Sequence, residues 1–152
     1  MEQVGKKNSQ ASELLYEKLF RAWPLMRRKL LPTGAVQSEL GMPFSHVQVL
    51  MLLEQNGTAS ISEISEQFGI AKPNITPMID RMIEEGLVMR ERMNTDRRIV
   101  SIVLCEAGQR RLVEIYRVFY NHIFRWVPAL SPAEMDELNS ALDVIIRLFS
   151  AP

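Results

Sequence analysis

The chain of 152 residues has little of what catalytic and metal sites are usually built from. It holds one cysteine and two histidines, and its formal net charge is zero. The single thiol, Cys105, excludes an internal disulfide framework and points to a reducing compartment, so the protein is expected to be cytoplasmic. His46 and His122 stand 76 positions apart, and neither belongs to the His/Cys spacing of a zinc site. A phosphate-binding P-loop and a nucleophile elbow are also missing. The chain is therefore not read as an enzyme, and neither cofactor nor metal is expected. No apolar run approaches the roughly 20 residues that span a bilayer. Residues 1–10 lack the apolar centre of a signal peptide, so no membrane partner is expected. Internal repeats and low-complexity segments are absent too.

What remains is an ordinary globular composition, 47% hydrophobic and 24% charged, of a length that suits one domain or two small subdomains sharing a core. The zero net charge conceals an uneven distribution. Residues 1–43 hold seven basic and four acidic side chains, residues 44–69 none and three, residues 70–105 six and five, and residues 106–152 five and six. Arg90, Arg92, Arg97 and Arg98 fall within nine positions. Distribution rather than sum decides whether a surface attracts a polyanion.

Residues 1–9 are polar and aperiodic, the pattern of a flexible tail. From Gln10 the apolar positions Leu14, Leu15, Leu19, Ala22, Met26 and Leu30 step by three and four, predicting an amphipathic helix. Pro24 lies inside it and is expected to kink it. Pro32-Thr33-Gly34 ends it, and residues 33–43 read as a loop. A second helix opens at Pro43 and runs to about Glu54, with Val47, Leu50, Met51 and Leu53 as its buried stripe. A short third helix runs from about Ser62 to Phe68; Ser60 or Ser62 can cap it, and Ser60-x-x-Glu63 fits a capping box. Gly69 turns the chain into a fourth helix from Lys72 to about Glu85, ended by Gly86. Two short helices about a glycine turn form the helix-turn-helix pattern.

After Gly86 the apolar period changes from about 3.6 to 2. Leu87–Met89 and Ile99–Leu104 read as strands, with residues 93–97 as the turn of a hairpin. A hairpin following a helix-turn-helix is a winged helix. Residues 106–127 return to helical period, with Leu112, Ile115, Phe119 and Ile123 on one face. Ser131-Pro132-Ala133-Glu134 starts the last helix, which carries Met135, Leu138, Leu142, Ile145 and Leu148. The terminal helices have apolar stripes to bury, and a second copy is the economical partner. Trp126, Leu148 and Phe149 serve either that interface or the monomer's own core.

In this arrangement Lys72, Asn74 and Thr76 lie at the start of the fourth helix, the end that a helix-turn-helix presents to base edges. Lysine reaches guanine or phosphate, asparagine pairs with adenine, and threonine offers hydroxyl and methyl. Arg81, further along, is either a phosphate contact or a solvated side chain. Pro77, one turn in, either splays the helix start or is a tolerated kink. In the wing, Arg90, Arg92, Arg97 and Arg98 are the candidates for a minor groove, where negative potential is enhanced. Asp96 is assigned to pairing with a neighbouring arginine and Asn94 to a turn position, both structural roles. His46 is read as structural, and Cys105 as an inert thiol rather than a redox sensor.

These stretches resemble the MarR family (multiple antibiotic resistance type) of transcriptional regulators. The resemblance runs from Pro43 to Leu112. It is carried by ISEISEQFGIAKPNITPMIDRMIEEGLVMRE, by the wing NTDRR, and by VSIVLCEAGQRRL, where the family has a leucine-threonine-x-x-glycine step into the next helix. It implies a mostly α fold with a small β-hairpin wing, in which a winged helix-turn-helix is flanked by N- and C-terminal dimerisation helices. It further implies a homodimer on double-stranded DNA that reads a pseudo-palindromic operator, usually as a repressor. On that pattern the helix 72–85 enters the major groove and the wing 88–103 the minor groove, with Arg97 or Arg98 as the wing arginine. A small aromatic or anionic effector is implied as a partner. Three positions depart from the family: Ala71 for a capping serine or threonine, Ser65 for a packing alanine, and Cys105 for a threonine. The expected division is a tail at 1–9, a dimerisation helix and loop at 10–42, the DNA-binding domain at 43–105 and dimerisation helices at 106–152. The alternative is a winged-helix protein-interaction module without DNA binding.

Overall fold

In chain order the elements are α1 (Glu2–Leu30), α2 (Thr33–Leu40), α3 (Phe44–Asn56), β1 (Thr58–Ser60), α4 (Ile61–Phe68), α5 (Lys72–Glu84), β2 (Val88–Arg92), β3 (Val100–Leu104), α6 (Glu106–Ile123) and α7 (Pro132–Phe149). They come from a computed structural model that describes residues 2–92 and 100–150, with side chains from Gln10 onward except Ala11. The chain divides into two units, one of residues 31–119 and one of residues 1–30 with 120–152.

The unit of residues 31–119 holds the main core. Leu50 and Leu53 of α3, Ile64 of α4, Ile75, Ile79 and Met82 of α5, Ile102 of β3 and Ile115 of α6 are all essentially inaccessible. α3 is buried more widely than its expected stripe: His46, Val49 and Leu52 are also inside, and Met51 only partly so. A helix enclosed on several faces carries little amphipathic signal. At its far end Tyr116 of α6 donates a hydrogen bond to the Glu54 carboxylate, which pushes the phenol up to about 12.

Three departures from the sequence expectations have plain causes. The 33–43 loop is largely helix, α2. Thr33 and Gly34 are weak helix formers, but Val36 is fully buried and Leu40 packs on the core, and tertiary burial outweighs propensity. The hairpin gains a third strand. β1 pairs antiparallel with β3, Ala59 opposite Ile102, in the order β1-β3-β2; three residues are too few to show a period. The helix expected to reach residue 127 ends at Ile123 and is followed by a 3-10 turn at Val127–Ala129, since Pro128 has no N–H with which to continue it.

In the other unit, α1 begins at Glu2 rather than Gln10. The stretch read as a tail is rich in straight-chain helix formers, Glu2, Gln3, Lys6 and Lys7, and its backbone is helical. Pro24 does not interrupt α1. Ser131 caps α7 in a reciprocal box with Glu134, as its spacing predicts. α7 has no buried side chain, and Phe20, Trp23, Leu148 and Phe149 are each more than 60% exposed. Of the three residues named for an interface or a core, Leu148 and Phe149 are open and Trp126 is half-buried.

One glycine fixes how α6 leaves the sheet. A Cβ on Gly108 would lie 2.1 Å from the Leu87 carbonyl oxygen, which also accepts the Cys105 N–H at 3.0 Å. This is a contact with backbone, which cannot rotate away. Gly108→Ala is expected to destabilise the 31–119 unit by about 1–3 kcal/mol or more. Gly34→Ala, where an added methyl meets nothing within 4 Å, should be neutral or stabilising by up to about 1 kcal/mol. Urea unfolding of the two variants beside the parent checks the contrast.

Candidate nucleic-acid interface

α4 and α5 are joined by a turn that the sequence specifies atom by atom. Ser60 caps α4, accepting the Glu63 N–H at 3.2 Å, while the Glu63 carboxylate accepts the Ser60 N–H at 2.7 Å. The Ser60 backbone N–H, and after it the Ser60 hydroxyl, hold the Glu63 carboxyl below the usual carboxylate range. Gly69 takes the left-handed conformation at φ 62°, and the Ile70 N–H returns to the Ser65 carbonyl at 3.1 Å. The Ser65 hydroxyl then donates to the Ile70 carbonyl at 2.6 Å. Ser65 thus closes the turn, a role not legible when it is seen only as a polar residue in place of alanine.

α5 buries Ile75, Ile79 and Met82, at steps of four and three, against the core. The remaining faces carry the expected residues. Lys72, Asn74 and Arg81 are exposed and Thr76 is half-buried. Thr76 has spent its donor on the Lys72 carbonyl at 3.1 Å, leaving its oxygen as an acceptor and its methyl for contact. No side chain caps the helix at Ala71, in keeping with the lost serine or threonine there. α5 continues through Pro77, so this proline, which lacks the donor that would reach back one turn, does not break the helix.

α5 ends in a Schellman turn: the Gly86 N–H meets the Ile83 carbonyl at 2.9 Å and the Leu87 N–H meets the Met82 carbonyl at 3.0 Å. With Gly86 at φ 71°, the chain passes directly from helix into β2. Arg90 pairs across β2–β3 with Ile102, and Arg92 with Val100. Val88, Arg90 and Arg92 share one side of the strand by its two-residue period. Arg90 Nη2 reaches Asp80 Oδ1 of α5 at 2.5 Å. This ion pair, which the sequence reading did not foresee, sets the wing strand against the helix. Arg81 is also engaged, at 3.1 Å from Glu85. Both pairs are exposed, worth at most about 1 kcal/mol, and a phosphate can compete for either arginine. Lys72 and Arg92 have no ion pair among the described residues. Arg97, Arg98, Asn94 and Asp96 lie outside the described residues.

Elsewhere the described residues hold no group of His, Cys, Asp and Glu able to bind a metal. None of their helices is long and apolar enough to cross a membrane. Cys105 is half-buried at the β3–α6 junction.

A helix-turn-helix with an exposed polar helix start, continued into an antiparallel wing, defines a winged-helix DNA-binding fold. A profile of the MarR family matches residues 44–100. An uncharacterized HTH-type transcriptional regulator of Bacillus subtilis, YfiV, is 31% identical over 129 residues, 82% of this chain and 81% of its own. The transcriptional repressor IacR of Pseudomonas putida is 33% identical over 66% of this chain and 60% of its own. The crystal structure of Rv1404 from Mycobacterium tuberculosis shares the fold, with a TM-score of 0.76 at 20% identity over 93% of this chain and 95% of that one. The chain belongs to the MarR family and is a DNA-binding transcriptional regulator rather than an enzyme.

Behind α5 lies one buried ionisable group, His46, 3% exposed, whose Nδ1 has no hydrogen-bond partner among the described residues and stands 3.9 Å from Glu85 Oε2. Burial pushes its imidazole below the ordinary 6.5, with Glu85 opposing the shift and Arg81 adding to it. The unfolded chain therefore binds this proton more readily than the folded one. His46 contributes stability that is fully present above pH 6.5 and is lost as pH falls through the folded value. Urea midpoints measured from neutral pH downward should fall below pH 6.5, and His46→Gln should flatten that slope; an unchanged slope would contradict the assignment.

Proposed function

We propose that the protein is a homodimeric, effector-responsive repressor that reads a pseudo-palindromic operator. α5 enters the major groove with Lys72, Asn74 and Thr76 foremost and Arg81 on the backbone. The wing enters the minor groove with Arg97 or Arg98, supported by Arg90 and Arg92. The observation that carries this reading is the two-faced α5: Ile75, Ile79 and Met82 are sealed in the core while Lys72 and Asn74 stand open at its start. Dimerisation is supported by the apolar surface that α1 and α7 leave exposed, since monomers seldom leave large contiguous apolar patches open. A small aromatic or anionic molecule is the effector that releases DNA.

Retention on duplex DNA across a salt series tests the reading. Lys72→Ala should weaken binding about equally on all sequences and lower the salt slope by about 1. Asn74→Ala should cost about 1–3 kcal/mol on the preferred sequence and relax choice at one position. Arg97→Ala combined with Arg98→Ala should abolish specific binding. If all three variants keep the parent's affinity and salt slope, this interface is not the one that reads DNA.

A further inference from the structure

Of the candidate DNA contacts on α5, Arg81 shares a carboxylate with a buried group. Its Nε lies 3.1 Å from Glu85 Oε1, and the other oxygen of that carboxylate stands 3.9 Å from the buried Nδ1 of His46. One carboxylate therefore faces an exposed guanidinium on one side and an inaccessible imidazole nitrogen on the other. Nδ1 has no hydrogen-bond partner among the described residues, and no second carboxylate pairs with it there. The charged groups that weigh most on this ring are Glu85 and Arg81, both of α5. Of the other elements packed on α3, β1 and β3 carry no charged residue and α2 carries only the exposed Glu39. α6 meets α3 through Phe119 on Phe44 and through Tyr116 on Glu54, two turns beyond His46.

We infer that DNA binding draws one proton from solvent onto His46: the Arg81–Glu85 pair opens, Arg81 closes on a backbone phosphate, and Glu85 closes on the imidazolium. The Arg81–Glu85 pair is exposed and weak, so a phosphate can displace it. Two changes then act in the same direction. The phosphate offsets the guanidinium charge that disfavours the imidazolium, and the freed carboxylate can approach Nδ1. Contact with DNA thus makes His46 easier to protonate, and by reciprocity protonation makes DNA easier to bind. In the free protein the imidazole titrates below the ordinary 6.5, and in the complex it titrates higher than in the free protein. Affinity therefore rises as pH falls between the two values. Acid tightens the hold on DNA while it loosens the fold. This coupling rests on the reading of Arg81 as a backbone contact and adds to it a proton that regulates the interface.

His46 and His122 are the only imidazoles in the chain, so each can be followed by NMR in the full-length protein. Without DNA, Arg81→Gln should raise the His46 midpoint and Glu85→Gln should lower it, with His122 as the reference. With a mixed-sequence duplex at low salt, calorimetry in two buffers of different ionisation enthalpy should show proton uptake by the parent. From about pH 7.5 to about pH 5.5 the parent should gain at least about threefold in affinity, within the limit of about tenfold per pH unit that one proton sets. His46→Gln and Glu85→Gln should both lose that gain, and Glu85→Gln should bind more tightly than the parent at the upper pH because its Arg81 is free. Glu85 is an exposed position, so its variant carries the test where His46→Gln is too unstable. A His46 midpoint indifferent to both α5 variants, or an acid gain that survives in Glu85→Gln, would overturn the coupling. A parent that binds the duplex without proton uptake would overturn it and leave the DNA reading intact. A parent that binds no duplex at any pH would overturn the reading of α5, and the coupling with it.

Discussion

The Leu87 carbonyl is the point on which the DNA-binding unit depends. The Gly86 turn that closes α5 lies one residue earlier, β2 begins one residue later, and the same oxygen accepts the Cys105 N–H while Gly108 crowds against it. The exit of α5, the root of the wing and the start of α6 therefore share a single backbone contact. Only a residue without a Cβ can occupy position 108. The leucine-cysteine-x-x-glycine step is thus a packing requirement: leucine fills the gap beside it, and glycine lets the helix approach the carbonyl.

From this seam the charges acquire their meaning. A chain with equal numbers of acidic and basic residues does not advertise a polyanion partner. The carboxylates around α5, however, are employed in placing cations. Asp80 holds Arg90 against the helix, and Glu85 holds Arg81 above the buried His46. Such exposed pairs exchange readily with phosphate because their own energy is small. They position the arginines without consuming them, and the near-neutral total is compatible with a nucleic-acid surface of local basic groups.

Features with strong local chemistry were legible in the sequence. The capping boxes at Ser60 and Ser131, the turns at Gly69 and Gly86, and the period change after Gly86 all translate into observed elements, because each depends on residues within a few positions of one another. Features that depend on tertiary burial were not. α2 reads as a loop because Thr33 and Gly34 argue locally against helix, and only the burial of Val36 reverses them. β1 is too short to carry a period and exists through its pairing with β3. In the interface, Lys72, Asn74, Arg90 and Arg92 are all exposed. The ion pair from Asp80 and the hydroxyl closure by Ser65 join residues whose proximity spacing alone does not reveal.

The central claim is that a two-fold pair of these helix and wing units reads DNA sequence. Selection of bound duplexes from a random pool at near-physiological salt measures this directly. The account predicts enrichment of an inverted repeat whose half-sites lie about one helical turn apart, roughly 34 Å. Enrichment of a single asymmetric site would contradict the two-fold arrangement, and no enrichment at any salt, after bound small molecules are removed, would contradict sequence reading altogether.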